Sequence, residues 1–303
     1  MSNYSDSKFN DTDDNSSWQK TFKLVPERST VLDIGCSNGV FGERLIAEKG
    51  CIVDGIEIDK GDIHAAKKVL RNVYDIDIER QVIKLPQKYD VVFMGDVVEH
   101  LARPAQTLAK VRGLLKPEGV FIFSIPNITH MSVRLMLLQG KIEYGRTGLL
   151  DEAHLHFYNS SEIKRVLQAA GFALISLDNT INDLPEDVLS AEFHKLGLDV
   201  KPEFKKIAQS LDAVAYQFIG IAKPGKAEKI ELPKSSPENV VEKYYKSLEA
   251  EYNKSVKAIQ ADRQNLTKEL ERLRKENKVL NKKLAIRAER FVKNRLLKKG
   301  SDK

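Results

Sequence analysis

The stretch Val31-Leu32-Asp33-Ile34-Gly35-Cys36-Ser37-Asn38-Gly39-Val40-Phe41-Gly42 constrains this chain more than any other. A short apolar run closes on an acid and a glycine, small residues follow, and a helical pattern opens near Phe41 and continues through Arg44, Leu45 and Ile46. The spacing predicts a strand, a tight turn and a helix. Glycines in such a turn let a ligand approach the backbone, and the free N–H groups of the helix start favour an anionic group. The stretch therefore reads as a cradle for a small molecule. A dinucleotide fingerprint requires G-x-G-x-x-G, whereas this loop is G-x-x-x-G-x-x-G with Ser37 at the middle position, which disfavours hydride chemistry.

With 303 residues, 42% hydrophobic and 30% charged, the chain can bury one large domain and something smaller. It lacks a run of about 18 apolar residues, so no membrane-spanning helix is expected. Met1–Ser17 is rich in Asn, Asp and Ser, without a basic start or an apolar segment, and reads as a disordered tail rather than a secretory signal. Two cysteines, Cys36 and Cys51, give neither a disulfide framework nor metal-ligand spacing. A cytoplasmic protein is expected. The net charge of +6 is uneven: Glu238–Lys303 holds 19 Lys/Arg against 10 Asp/Glu, so the basic character belongs to the C-terminal segment.

Along the chain, helix and strand alternate. A helix over Trp18–Leu24 precedes a strand over Thr30–Ile34, and the helix after the cradle ends near Lys49-Gly50. A second strand, Cys51–Asp59, ends in acids. This puts Glu57 about 20 residues past the cradle, where an acid can accept from both ribose hydroxyls of a nucleoside. A helix over His64–Val73, a weak strand over Val73–Ile78, a strand from Tyr89 running into the acidic turn at Asp96, a helix over Pro104–Leu115 and a buried strand over Val120–Asn127 follow. Asp77 is placed either to face an adenine amino group or to serve as a plain loop acid. Then come a helix over Ser160–Ala170 stopped by Gly171, a strand over Phe172–Leu177, a largely helical stretch over Pro185–Leu211 and a last apolar strand over Asp212–Lys223. The alternation argues a doubly wound α/β sheet.

The ordered strings V-L-D-I-G-C, V-D-G-I-E-I-D, Y-D-V-V-F-M-G-D-V-V-E-H-L, L-L-K-P-E-G-V-F-I-F-S-I-P-N and G-L-L-D-E-A-H-L-H-F-Y resemble a bacterial subgroup of class I S-adenosylmethionine-dependent methyltransferases that includes many enzymes of polysaccharide and glycan clusters. The resemblance covers roughly residues 18–224. It implies a Rossmann-like seven-stranded sheet with an antiparallel last strand. S-adenosylmethionine would be the cofactor and S-adenosylhomocysteine the product. The cofactor would be held by Asp33, Gly35, Cys36, Ser37 and Gly39 of the cradle, by Glu57, Ile58, Asp77 and Ile78 after the next strands, and by Gly95 and Asp96 on the methionine side. The family's first motif carries a third glycine where Ser37 stands, a mild departure. A nucleobase N-methyltransferase would carry D/N-P-P-Y/F where this chain has G-D-V-V.

Methyl transfer from a sulfonium demands alignment and, for a hydroxyl acceptor, a base. Tyr144, Arg146, Asp151, His154 and His156 cluster in the segment 140–158, which makes it the source of the acceptor site. His154 is the expected base, with Asp151 orienting it; the alternative for His154 is a structural hydrogen bond at a loop end. In an extended segment His156 would share the face of His154, a pattern that with Asp151 admits a metal, but no third strong ligand is evident and no metal is expected. Arg146 could hold an anionic acceptor. His130 lies within reach of the pocket, and His100 reads as buried beside the cofactor rather than reactive.

Residues 225–237 read as a linker. Residues 238–299 then run without proline or glycine, and Val256, Arg263, Leu270, Asn277 and Leu284 alternate with Ile259, Leu266, Leu273 and Leu280 as positions a and d of a coiled coil. A homodimer through residues 250–290 is expected, with a single helix docking on another protein as the rival. The end, Ala285–Lys303, mixes basic and apolar residues and suits an anionic membrane surface or a glycosyltransferase partner better than nucleic acid, for which no stacking pattern is present. The functional expectation is an O-methyltransferase acting on a sugar hydroxyl of a glycan or its precursor. Its rivals are a quinone, lipid or other small acceptor, or an inactive cofactor-binding scaffold.

Overall fold

Apolar runs bounded by turn residues become the strands of one mixed sheet. The computed structural model describes residues 13–225, 254–270, 272–276, 278 and 283. The chain divides into two units, Met1–Val241 and Glu242–Lys303. In the first, the order is α1 (Ser17–Leu24), β1 (Thr30–Ile34), α2 (Val40–Lys49), β2 (Ile52–Glu57), α3 (Lys60–Ala66), β3 (Asn72–Asp75), β4 (Tyr89–Gly95), α4 (Pro104–Arg112), β5 (Leu115–Pro126), α5 (Met131–Leu138), α6 (Ser160–Ala169), β6 (Phe172–Ile181), α7 (Glu186–Lys195), α8 (Pro202–Ala208), α9 (Leu211–Val214) and β7 (Ala215–Pro224). In the second, residues 254–270 are helical. Among the described residues no helix is long and apolar enough to cross a membrane.

The sheet order is β3-β2-β1-β4-β5-β7-β6, with β7 antiparallel to β5 and β6 and the other pairs parallel. Side chains alternate between two cores, as a sheet covered on both faces requires. Leu32, Val92, Phe121 and Phe123 pack on one side; Val31, Val91, Phe93 and Ile122 pack on the other. The strand order reverses between β1 and β4, and a crevice opens there at the carboxyl ends of the parallel strands.

Several boundaries differ from the expectations. Asp59 is not the end of β2 but the cap of α3, its carboxylate accepting from Gly61 N and Asp62 N, so that helix starts at Lys60 and stops at Ala66 before β3 begins. Helix α5 has no counterpart among the expected elements, because M-S-V-R-L-M-L-L is apolar nearly all round and its cap is the His130 ring, which accepts from Ser132 N. The tail expected over 1–17 falls outside the described residues as far as residue 12. From Asp13 onward it is anchored, with Asn15 Nδ2 donating to Ile181 O and Ile181 N donating to Asn15 Oδ1. The proposed linker, apart from Gly225, and the basic C-terminal end also lie outside the described residues.

One buried acid ties the first strands together. Asp54, fully buried in β2, accepts two bonds from Arg71 (2.8 and 2.6 Å), one from Asn72 (3.0 Å) and one from the Tyr89 hydroxyl (2.7 Å). Asp54→Ala leaves Tyr89 and Arg71 without their acceptor. It should cost about 3 kcal/mol of unfolding free energy, read as a lower denaturation midpoint at unchanged slope.

Candidate functional site

The turn after β1 holds three residues with positive φ: Gly35 (76°), Ser37 (46°) and Gly39 (87°). A Cβ on Gly35 would stand 2.6 Å from Val97 Cγ2, and one on Gly39 would stand 3.1 Å from the Ala66 backbone, so both positions require glycine for space as well as conformation. Ser37 adopts the same region against its own Cβ. Its backbone N–H donates to Glu57 Oε2 (2.9 Å) and its hydroxyl to Asp62 Oδ2 (3.1 Å). Glu57 Oε1 also accepts from Ile58 N (2.7 Å) and Asp59 N (3.0 Å). One carboxylate thus fixes both the cradle and the start of the next turn.

Asp33, Gly35, Cys36, Ser37, Glu57, Gly95 and Asp96 line one cavity of about 420 Å³. Burial, with Glu57 beside it, pushes the Asp33 carboxyl up to about 7. Burial likewise raises the Cys36 thiol, with Asp33 adding to the effect, and leaves it unreactive. Asp96, at φ 52°, accepts from the Ser124 hydroxyl (2.9 Å), and Gln217 Nε2 donates to both its oxygens (3.0 and 2.9 Å). Burial raises its carboxyl, against the pull of those donors. An aromatic wall closes the other side, where Phe41 packs on Phe93 at 4.7 Å and meets Trp18 edge-on at 6.2 Å. Of the remaining cofactor expectations, Gly39 caps α2, Ile58 is exposed, Ile78 is buried in the core, and Asp77 caps a turn by accepting from Glu79 N and Arg80 N. None of these four lines the cavity.

The segment 140–158 meets the cavity through Asp151 and Ala153, with Asp151 Oδ1 accepting from Ala153 N (2.8 Å). The expected common face of His154 and His156 does not form. The N–H groups of Leu155 and His156 both donate to Glu99 O (2.9 and 3.0 Å), and this turns the chain between the two rings. His156 Nε2 points to Ala102 O, and that ring lines a separate groove with Arg103 and Arg165. His154 is buried, which lowers its affinity for a proton, as does His100 beside it. Its Nε2 is 3.9 Å from Glu99 Oε1. The histidine at the cavity wall is His100, whose Nδ1 donates to Ala153 O (3.1 Å) and so leaves Nε2 as the acceptor nitrogen of the neutral ring. His130 is held by Asn182 O and Ser132, and Tyr144 and Arg146 are exposed.

Glu99 is buried, and neither of its carboxylate oxygens has a hydrogen-bond partner among the described residues. Burial, with Asp96 nearby, raises it well above the carboxylate range. Glu99, His100 and His154 present ligating atoms within 4.8 Å of one another and form the one such group among the described residues; Asp151 and His156 are not part of it. Trp18, Phe93, Val97 and Gln217 join the site without any announcement in the sequence. Their contribution depends on contacts across the sheet that no local pattern records.

A family model described as a methyltransferase domain matches residues 15–177. The ubiquinone biosynthesis O-methyltransferase of Saccharophagus degradans is 37% identical over 114 residues, 34% of this chain and 48% of that protein. The protein of the same name from Histophilus somni is 33% identical over 118 residues, 36% of this chain and 49% of its own length. The chain spans about half the length of these curated relatives. A crystal structure of a putative S-adenosylmethionine dependent methyltransferase from Listeria monocytogenes aligns at 20% identity with a TM-score of 0.46, covering 69% of this chain and 97% of that one.

The geometry of the cradle carries two predictions. At Ser37 the hydroxyl bond to a carboxylate, about 1.5–3 kcal/mol, outweighs left-handed strain of about 1–2 kcal/mol. Ser37→Ala loses the bond and keeps the strain, so it should lower stability by about 2 kcal/mol, whereas Ser37→Gly should come within about 1 kcal/mol of the parent in denaturant titrations. For Asp33 the folded carboxyl stays protonated up to about 7 while the unfolded one ionises near its ordinary value, so the folded state binds the extra proton. Stability should therefore fall as pH rises from about 4 to about 7, by at most ~4 kcal/mol. Asp33→Asn should flatten that part of the melting-temperature profile.

Proposed function

This chain belongs to the methyltransferase-domain family of class I S-adenosylmethionine-dependent enzymes, and from that premise we propose that it methylates a ring hydroxyl of a small acceptor. The observation that carries the reading is that His100, with Nε2 as acceptor, shares one cavity with the glycine cradle and its three acids.

The residues fit the cofactor. The cavity lies within the roughly 300–1,000 Å³ of small-molecule sites, and Gly35 has no room for a side chain against Val97. Glu57 already accepts three backbone bonds, which leaves about one of a carboxylate's four lone-pair sites for a ribose hydroxyl. Asp96, fixed by Ser124 and Gln217, offers its carboxylate to the amino group and sulfonium. Phe41 and Phe93 add ring faces for a cation. When bound, S-adenosylmethionine supplies the methyl group on its sulfonium.

The protein's own work is alignment and proton removal. Positioning is worth roughly 7–11 kcal/mol in such reactions. Trp18, Phe41 and Phe93 exclude water from one side of the cavity, and His100 Nε2 takes the proton from the acceptor hydroxyl. Asp151 acts through Ala153: it holds the turn whose carbonyl fixes the His100 tautomer. The names of the matched relatives, together with this aromatic wall, support a quinone-type ring hydroxyl over the sugar hydroxyl expected from the sequence.

The test is transfer of a labelled methyl group from S-adenosylmethionine to a catechol-type phenol and, in parallel, to nucleotide sugars. Transfer to the phenol is expected, and exclusive transfer to the sugars would reverse the acceptor assignment. His100→Ala should lower turnover about 10²–10⁴-fold while calorimetric affinity for S-adenosylmethionine changes little. An unchanged rate would remove His100 as the base.

A further inference from the structure

We propose that the C-terminal helix pairs in parallel with the same helix of a second copy of this chain. Residues 254–270 and 272–276 are helical, yet Ile259, Leu266, Leu270 and Leu273 are 67%, 67%, 56% and 51% exposed. Their spacings of seven, four and three residues put them on one stripe. A helix of this kind draws its stability from packing of its apolar side, so the stripe calls for a covering surface. In heptad terms Ile259, Leu266 and Leu273 occupy d, and Val256, Arg263 and Leu270 occupy a.

The charges beside the stripe identify the occupant. Positions g carry Asp262, Glu269 and Glu276, and positions e carry Gln260, Thr267 and Arg274. In a parallel pair each g faces the following e of the other helix, which puts Glu269 opposite Arg274 of the second copy and creates no like-charge pair at these positions. Arg263, a cation in the seam, then faces Arg263 of the second copy, and Asp262 of each copy, the preceding g, lies beside this pair and offsets its charge. An antiparallel pair would set g against g and bring acids onto acids. Within the helix, Arg272 Nε donates to Glu276 Oε1 (3.1 Å), an i,i+4 pair that supports the helix itself.

The test uses the full chain. Light scattering should give twice the 34.2 kDa chain mass over the micromolar range, and the double variant Leu266→Glu/Leu273→Glu should halve it while calorimetric binding of S-adenosylmethionine stays unchanged, showing that the first unit still folds. Ile259→Cys should form a covalent dimer on mild oxidation, since identical d positions adjoin only in a parallel pair; Cys36 and Cys51 are buried, and the parent chain serves as the blank. A monomeric parent, an assembly larger than two, a double variant that remains dimeric, or an Ile259→Cys variant that forms no cross-link would each overturn the proposal.

Discussion

Three backbone N–H groups converge on the carboxylate of Glu57, and the rest of the site depends on that convergence. The turn after β1 passes through the left-handed region at Gly35, Ser37 and Gly39, a path that an isolated chain would abandon. Glu57 holds the middle of this turn from the neighbouring strand, and Asp62 on the next helix holds the Ser37 side chain. These bonds exist because β1 and β2 are parallel and in register, Ile34 beside Ile56, so that both strands end at the same level. Sheet register is thus the cause of the cradle, and the cradle is the cause of the cavity.

A second consequence of parallel ends is the crowding of acids. Asp33, Glu57 and Asp96 stand at the carboxyl ends of three different strands and line one cavity. Water would keep such groups ionised and apart, whereas burial raises Asp33 and Asp96. The site therefore stores unfavourable electrostatics that a cationic ligand relieves, which is a physical reason for a sulfonium donor to bind here rather than a pyrophosphate. Ser37 in place of a glycine belongs to the same balance of bonds: its strain is offset by a hydroxyl contact that glycine could not make.

Much of this is legible residue by residue. Apolar runs such as Val31–Ile34 and Val91–Met94 announce buried strands, since parallel strands covered on both faces need continuous hydrophobicity. Glycines in the first turn and the acid about 20 residues on announce the cradle. Which side chain faces where is not legible in the same way. The extended spacing of His154 and His156 predicts one common face, but the N–H groups of Leu155 and His156 bond to the carbonyl of Glu99, more than fifty residues away in sequence, and the chain turns there. Helix α5 escapes a pattern reading because it is apolar nearly all round and capped by a histidine.

Most of the strands and helices, the parallel sheet and the first turn follow from short-range pattern in the chain: hydrophobic periodicity, glycine spacing and terminal acids. Tertiary structure alone decided the side of the cavity that faces the glycine turn. That side combines Trp18 from α1, Phe93 from β4, Gln217 from β7 on Asp96, and His100 fixed by a carbonyl of the segment 140–158. Hydrogen bonds between residues far apart in the chain have no local signature, and those bonds choose which histidine lines the cavity and which is buried behind it.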